Sequence, residues 1–574
     1  RNSTTVPALP PQADPQAEMA PRCRKALNLL ALVLQLALVD TVSAFAGTLH
    51  GRSLSTNGQK DSGICNLHRA RCFAGLREGG RRVYQANGCL RAPSQSTLRM
   101  LAPAPDTSEG EVMAVLRAGI KAVGVGVSGS KPIPEEHVAG LIAVVKAAVK
   151  RETPEGKEWE GQEEEIRQRL ASFLGALFVK TELKEGDEVV LAAVASVTND
   201  KKPTGHVRAG CSSSQVLSVA AGEEGSAALR GLALRLLGGH RLSTEEAREL
   251  GGCLFDPTEP SHLQVMCAQI LRVRYETMDE WTGLLEAQHA TLDLNRFGKE
   301  RMPLRGGERV VQLAEPFDGT HKAESFSPLI ARHLQRKWGA LAVSQCAQTA
   351  GPKYGPNAYT LAKVLCPDAF VTDVEQMAKS PPPEFGWYVD QAVASSELGR
   401  WNDIRRNVIK RPFLATSEKF LDTCGAEVVI ASAFHPSFSE KMFQMVARAC
   451  AFKALVIVRR GVEGGLGLSL ARPAEITCGV RQTDGTMKRL DFKFGPQHAG
   501  IDPRPETAQQ SPPLSSTTTA SKIARYAEDG ASGDPIFDDR VRLTLMAYDA
   551  ALEFVCNGNL VVEPLAASDP DPAS

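Results

Sequence analysis

Two apolar runs constrain this chain more than any other feature: Gly425-Ala-Glu-Val-Val-Ile-Ala431 and Ala454-Leu-Val-Ile-Val458. Each has the length of one strand and offers no polar face, so both sides must be covered. That is the condition of a central strand in a parallel sheet wrapped by helices. The spacing predicts a helix over Ser439–Cys450 between them. Upstream, a strand at Val310–Leu313, a helix at Ser327–Trp338 and a strand at Ala340–Ser344 continue the alternation. Downstream, Glu475–Val480 and Lys488–Phe494 flank Asp484-Gly485 and read as a hairpin, and an apolar-periodic helix over Asp538–Cys556 closes the unit. The class is therefore α/β, with one α/β domain at 301–502 and 534–562. The Pro/Ser/Thr-rich stretch 503–533 is expected to be a low-complexity, mobile surface insertion.

Before this domain the pattern is helical and repeats. Residues 108–200 contain Ile133-Pro-Glu-Glu-His, a helical run to Val149, and Leu170-Ala-Ser-Phe-Leu-Gly-Ala-Leu-Phe-Val-Lys180. Residues 225–300 contain Leu242-Ser-Thr-Glu-Glu-Ala, a shorter run, and Val265-Met-Cys-Ala-Gln-Ile-Leu-Arg-Val-Arg274. Both copies open with a Glu pair near a helix start; in the second, Ser243 with Glu246 fits a capping box. Two tandem helical modules follow, with packing or homodimer formation as their expected role. The charged insert 151–167 is expected to be solvated.

The first 107 residues read as an address. Basic residues at Arg22, Arg24 and Lys25, an apolar run from Ala26 to Val39 and Val42-Ser43-Ala44 make a signal peptide over about 19–44. From Phe45 to Arg99 there are nine Lys/Arg against Asp61 and Glu78, the bias of a transit peptide. This order resembles the bipartite presequence of algae with complex plastids, so the plastid stroma is the expected location, with no membrane association after processing. Over the whole chain 66 basic residues balance 66 acidic ones, which excludes a global charge argument for nucleic acid or membrane and leaves only local patches. Thirteen scattered cysteines without a C-x-x-C pair exclude a zinc site or disulfide framework as a first reading.

In a parallel α/β sheet ligands bind beyond the carboxyl ends of strands. Asp318-Gly319-Thr320-His321-Lys322 there is either a phosphate-binding turn with free N–H groups and a cation, or an ordinary Asp-Gly turn. Lys353, in Gly351-Pro-Lys-Tyr-Gly-Pro-Asn357, either reaches an anion or belongs to a rigid connection. Arg405, Arg406, Lys410 and Arg411 put four cations within seven residues, next to apolar Phe413-Leu414. If partly buried, they require an anionic partner. His435 is an acid–base or structural candidate, and Arg460 precedes a Gly-rich turn. Together the cations suggest a polyphosphate or nucleotide-like ligand. No G-x-S-x-G elbow or Walker motif occurs.

The ordered segments resemble the anthranilate phosphoribosyltransferase family. Leu242-Ser-Thr-Glu-Glu-Ala through Ile270-Leu-Arg-Val-Arg-Tyr-Glu-Thr277 is similar to its helical N-terminal domain, and Gly425–Leu470 to its strand, His-Pro, helix, strand and Gly-rich segment. The likeness extends over residues 229–558. It implies a nucleoside-phosphorylase/phosphoribosyltransferase-like α/β domain and transfer of ribose 5-phosphate from phosphoribosyl pyrophosphate to anthranilate, with Mg²⁺. The chain departs from the family's motifs. Gly-Thr-Gly-Gly-Asp-Gly is replaced by Ala314-Glu-Pro-Phe-Asp-Gly319, and Lys-His-Gly-Asn-Arg by Ser344-Gln-Cys-Ala-Gln348. Leu466 and Gly467 stand where the metal-binding Asp-Glu pair belongs, leaving Glu463 as the candidate metal ligand. Asp-Gly-Thr-His-Lys and Lys410-Arg-Pro-Phe-Leu-Ala-Thr416 are closer to a divergent branch that includes bacterial paralogues binding nucleic acid. The implied alternative is an inactive homologue holding DNA or RNA in a cationic groove.

Overall fold

The two apolar runs are adjacent strands at the centre of a seven-stranded sheet. In this computed structural model the described residues are 110–562, apart from 128, 151–160, 199–202, 299–308, 349, 506–513 and 560. The expected presequence and most of the charged insert lie outside them. The strands are β1 (Val310–Ala314), β2 (Leu341–Cys346), β3 (Trp387–Asp390), β4 (Val428–Ala433), β5 (Ala454–Arg459), β6 (Ala474–Arg481) and β7 (Met487–Phe494). Their order is β3-β2-β1-β4-β5-β6-β7. The first five run parallel; β6 and β7 add antiparallel as the expected hairpin. The chain winds from β1 to β2 and β3 on one side, then returns to place β4 on the other. A crevice therefore opens between the carboxyl ends of β1 and β4.

The period-two alternation of strand side chains sends each strand into two cores. Val429, Ala431, Leu455 and Ile457 join a core shared with the helical region. Val428, Ile430, Val456 and Val458 join the opposite core.

Nine helices precede the sheet among the described residues: α1 (Glu111–Val123), α2 (Glu135–Ala148), α3 (Glu163–Val179), α4 (Glu185–Val197), α5 (Ser213–Ala221), α6 (Ala227–Leu237), α7 (Thr244–Phe255), α8 (Ser261–Arg274) and α9 (Met278–Ala290). The capping box at Ser243 forms as expected: its hydroxyl accepts from Glu246 N, while the Glu246 carboxylate accepts from Ser243 N. The repeated modules are not separate bundles. Their second helices, α3 and α8, are buried on nearly all sides and belong to one core. At the crossing stands Gly175, where a Cβ would come within 2.9 Å of Met266 Cγ. The second helices of the two modules thus pack on each other within the chain.

Both modules are tied to the α/β domain. Arg169 Nε donates to Asn407 Oδ1 at 3.0 Å, and Asn407 Nδ2 donates to Gln168 Oε1 at 2.5 Å. From the second module, the Leu254 carbonyl accepts from Trp401 Nε1 at 2.8 Å.

Within the sheet domain, α10 (Ser327–Trp338), α11 (Ala358–Leu365), α12 (Val374–Lys379), α13 (Ser396–Ile404), α14 (Pro436–Ala449), α15 (Ser516–Asp529) and α16 (Pro535–Asn557) surround the sheet. Helix α15 corrects the reading of 503–533 as a mobile insertion. Ser515 caps it by accepting from Thr518 N, and Thr519, Ala520, Ile523 and Ala527 form one buried face. The Ser/Thr-rich composition hid a helical period. Among the described residues no helix is long and apolar enough to cross a membrane.

Candidate functional site

The cleft at the β1/β4 crevice is built from three segments. Pro316 follows β1, Ser432, Ala433, Phe434 and His435 end β4, and Gly464 follows β5. Arg411, Pro412, Phe413, Thr416 and Lys419 form a second wall; Arg272, Glu276 and Trp281, from the junction of α8 and α9, form the third. Cations and aromatic rings therefore share one concave surface beyond the strand ends.

Three donors in this lining are buried and have no hydrogen-bond partner: Trp281 Nε1, Ser432 Oγ and Arg272 Nε. A buried donor left unmatched costs about 1–3 kcal/mol; all three belong to residues that line this cleft, with the atoms themselves beneath its surface. Lys419 is buried and donates to the Ser432 carbonyl at 2.6 Å. Burial, then the neighbouring Arg411, brings its ammonium down to about 8. Burial also pushes the Glu276 carboxyl up to about 7, so it exchanges a proton near neutrality.

The turn after β1 is pinned to the loop after β2. Gly355 N donates to the Asp318 carbonyl and Thr320 N to the Pro356 carbonyl, both at 3.0 Å. Gly319 has φ +70, and a Cβ there would lie 2.2 Å from the Gly355 carbonyl oxygen, so only glycine fits. Asn357 caps α11, accepting from Thr360 N, and donates to the Phe317 and Ala347 carbonyls; its role is to brace the loops. His321 Nε2 lies 2.6 Å from the Lys353 carbonyl oxygen. Glu315, directly after β1, accepts from Ser325, Ser327 and Leu466 N. Thr320 Oγ1 is buried without a partner.

The cationic cluster divides. Arg405 is buried and its Nη1 donates to Glu418 Oε2 at 2.9 Å, so the required anionic partner is internal and this arginine cannot line a groove. Arg406 is exposed beside Asp403. Arg411 lines the cleft and pairs with buried Asp318. Lys410 is half-buried; burial, then Arg272 and Lys121, lowers its ammonium, and no ion pair holds it among the described residues. Arg460, at φ +64, pairs with Glu475 at 3.3 Å. His435 is exposed at the cleft edge, edge-on to Phe434.

Glu463 does not fit a metal. One carboxylate oxygen accepts from three backbone N–H groups, the other faces Lys353 at 3.5 Å, and among the described residues no cluster of three acidic, His or Cys side chains could hold an ion. Leu466 and Gly467, next to it, bring no side-chain oxygen.

Sequence reading missed Arg272, Glu276, Trp281 and Lys419. The first two belong to the recognised Ile270–Thr277 segment, where a charged residue beside a helix end was a usable sign. Lys419 sits in an ordinary polar stretch and only its burial marks it.

The chain matches no protein-family model. An uncharacterized protein of Aquifex aeolicus (strain VF5) is 26% identical over 231 residues, 39% of this chain and 64% of that protein. The chain thus spans a little under two thirds of that relative's length. Among solved structures, a magnesium-bound variant of Saccharomyces cerevisiae anthranilate phosphoribosyltransferase aligns at TM-score 0.42 and 12% identity, over 58% of this chain and 90% of that one. Anthranilate phosphoribosyltransferase from Thermus thermophilus aligns at TM-score 0.35 and 17% identity, over 56% of this chain and 94% of that one.

Proposed function

We propose that this chain is an anthranilate phosphoribosyltransferase-like protein that binds phosphoribosyl pyrophosphate and an anthranilate-like ring in the β1/β4 cleft, without the family's magnesium. The observation that carries the reading is the convergence of the cations Arg272, Arg411 and Lys419 on one cleft beyond β1 and β4. Phosphate or carboxylate oxygens match those cations, and Phe413, Phe434 and Phe438 give a planar ring apolar faces.

In the transfer that this reading implies, the acceptor amine attacks the anomeric carbon, the carbon–oxygen bond to pyrophosphate breaks, and pyrophosphate departs. Arg272 and Arg411 would balance the charge of that leaving group, and Glu276 would take the amine proton. Calorimetric titration of the chain with phosphoribosyl pyrophosphate in EDTA, followed by anthranilate, tests this. Saturable binding without metal supports it; binding only after Mg²⁺ is added, or none, overturns it.

A further inference from the structure

Backbone N–H groups of three consecutive residues, His321, Lys322 and Ala323, converge on Glu463 Oε2 at 2.7, 2.5 and 3.2 Å. Lys353 Nζ lies 3.5 Å from the other carboxylate oxygen and donates to the Glu463 carbonyl at 3.1 Å. A concave run of N–H groups beside an ammonium is the arrangement with which a backbone holds phosphate oxygens. Here a carboxylate of the same chain fills it. Nearby, Thr320 Oγ1 is a buried hydroxyl with no partner, a donor that the carboxylate does not use.

The occupant stands in an unfavourable backbone. Glu463 has φ +52, with glycines at 464 and 465 after it. A side chain in the left-handed region costs roughly 1 kcal/mol, which its new contacts must offset. Burial opposes the carboxylate charge, but the three N–H groups and Lys353 prevail and keep it below the ordinary range. A loop under strain, ending in a charge seated on donors, is suited to exchange with an external anion.

We propose that the 321–323 N–H run and Lys353 form a phosphate-group site that Glu463 occupies as an internal counter-anion, so that a phosphate binds there only by displacing it. This deepens the proposed function, since Gly464 lines the cleft and release of Glu463 would move that wall. It rests on the anion reading of these loops and not on the ring acceptor.

The test compares the full chain with Glu463→Gly, which removes the carboxylate and suits the positive φ, by calorimetry with orthophosphate and with pyrophosphate. At least a tenfold gain in affinity for either anion is expected in the variant, and adding Lys353→Ala should abolish it. No gain in a variant with unchanged circular dichroism, or a gain that survives Lys353→Ala, overturns the proposal. If Glu463→Gly does not fold, Glu463→Gln keeps the shape and is expected to show a smaller gain; its absence is equally decisive. Orthophosphate gained by the variant while neither chain binds phosphoribosyl pyrophosphate leaves this site standing and removes the function proposed above. Equal binding of phosphoribosyl pyrophosphate by both chains leaves that function standing and removes the displacement.

Discussion

Arg411 donates both Nε and Nη2 to one oxygen of Asp318, at 2.9 and 2.7 Å. The pair ties the turn after β1 to the cleft wall that carries Phe413 and Lys419. Asp318 is buried, whereas Arg411 is more than one-third exposed. Removing the arginine leaves a buried carboxylate with its hydrogen-bonded cation gone and only the charge of Lys419 acting on it. Arg411→Ala should therefore cost about 2–3 kcal/mol, below the full penalty of a wholly buried pair because solvent screens part of it. Arg411→Lys retains charge without the fork and should fall between. Urea unfolding of the two variants checks the order; an Ala variant as stable as the parent would show that the pair contributes nothing.

Lys419 sets an expected pH dependence of binding. Its ammonium is brought to about 8, by burial first and Arg411 second, so it loses its charge as pH rises through that value. Affinity for an anionic ligand should weaken over pH 7–9, by up to about tenfold per pH unit above 8 if the ligand needs that charge. Lys419→Met should bind more weakly at pH 7 and lose the step near 8, keeping only the change that Glu276 causes near 7. Titrations across this range decide it, provided that the ligand itself does not titrate there.

Glu276 makes the opposite statement about stability. Its folded value, raised by burial to about 7, exceeds the ordinary value of 4.5. The stability it contributes is complete below about 4.5 and is lost as pH rises through 7. Glu276→Gln should remove this dependence and make the chain roughly 1–3 kcal/mol more stable than the parent at pH 8. Denaturant midpoints at pH 5 and pH 8 provide the measurement.

Gly175 allows α3 to approach α8. Its absent Cβ would lie 2.9 Å from Met266 Cγ and 3.1 Å from Ile270 Cγ1. Gly175→Leu should push the helices apart and cost roughly 3 kcal/mol or more. A melting temperature within a degree of the parent would contradict the close crossing.

The sheet was legible because Val428–Ala431 and Ala454–Val458 offer no polar face, and only a covered central strand satisfies such a run. Trp387–Asp390 was missed because four residues after Pro381-Pro-Pro383 carry too little periodicity. Helix α15 was missed because Ser and Thr composition outweighed the spacing of Thr519, Ala520, Ile523 and Ala527. At the site, Arg405 and Arg411 were identifiable as candidates, yet their fates differ through long-range partners, Glu418 and Asp318. Arg272 and Lys419 gain significance only when the fold brings them to one cleft with Arg411, which no local spacing encodes.

A crystal structure of the chain grown with phosphoribosyl pyrophosphate in EDTA tests the central claim most directly. The expected result is the ligand in the cleft, with phosphate oxygen atoms within about 3.2 Å of guanidinium nitrogens of Arg272 and Arg411, the outer limit for such bonds. A ligand-free cleft, or phosphate groups seated away from those two arginines, would contradict it.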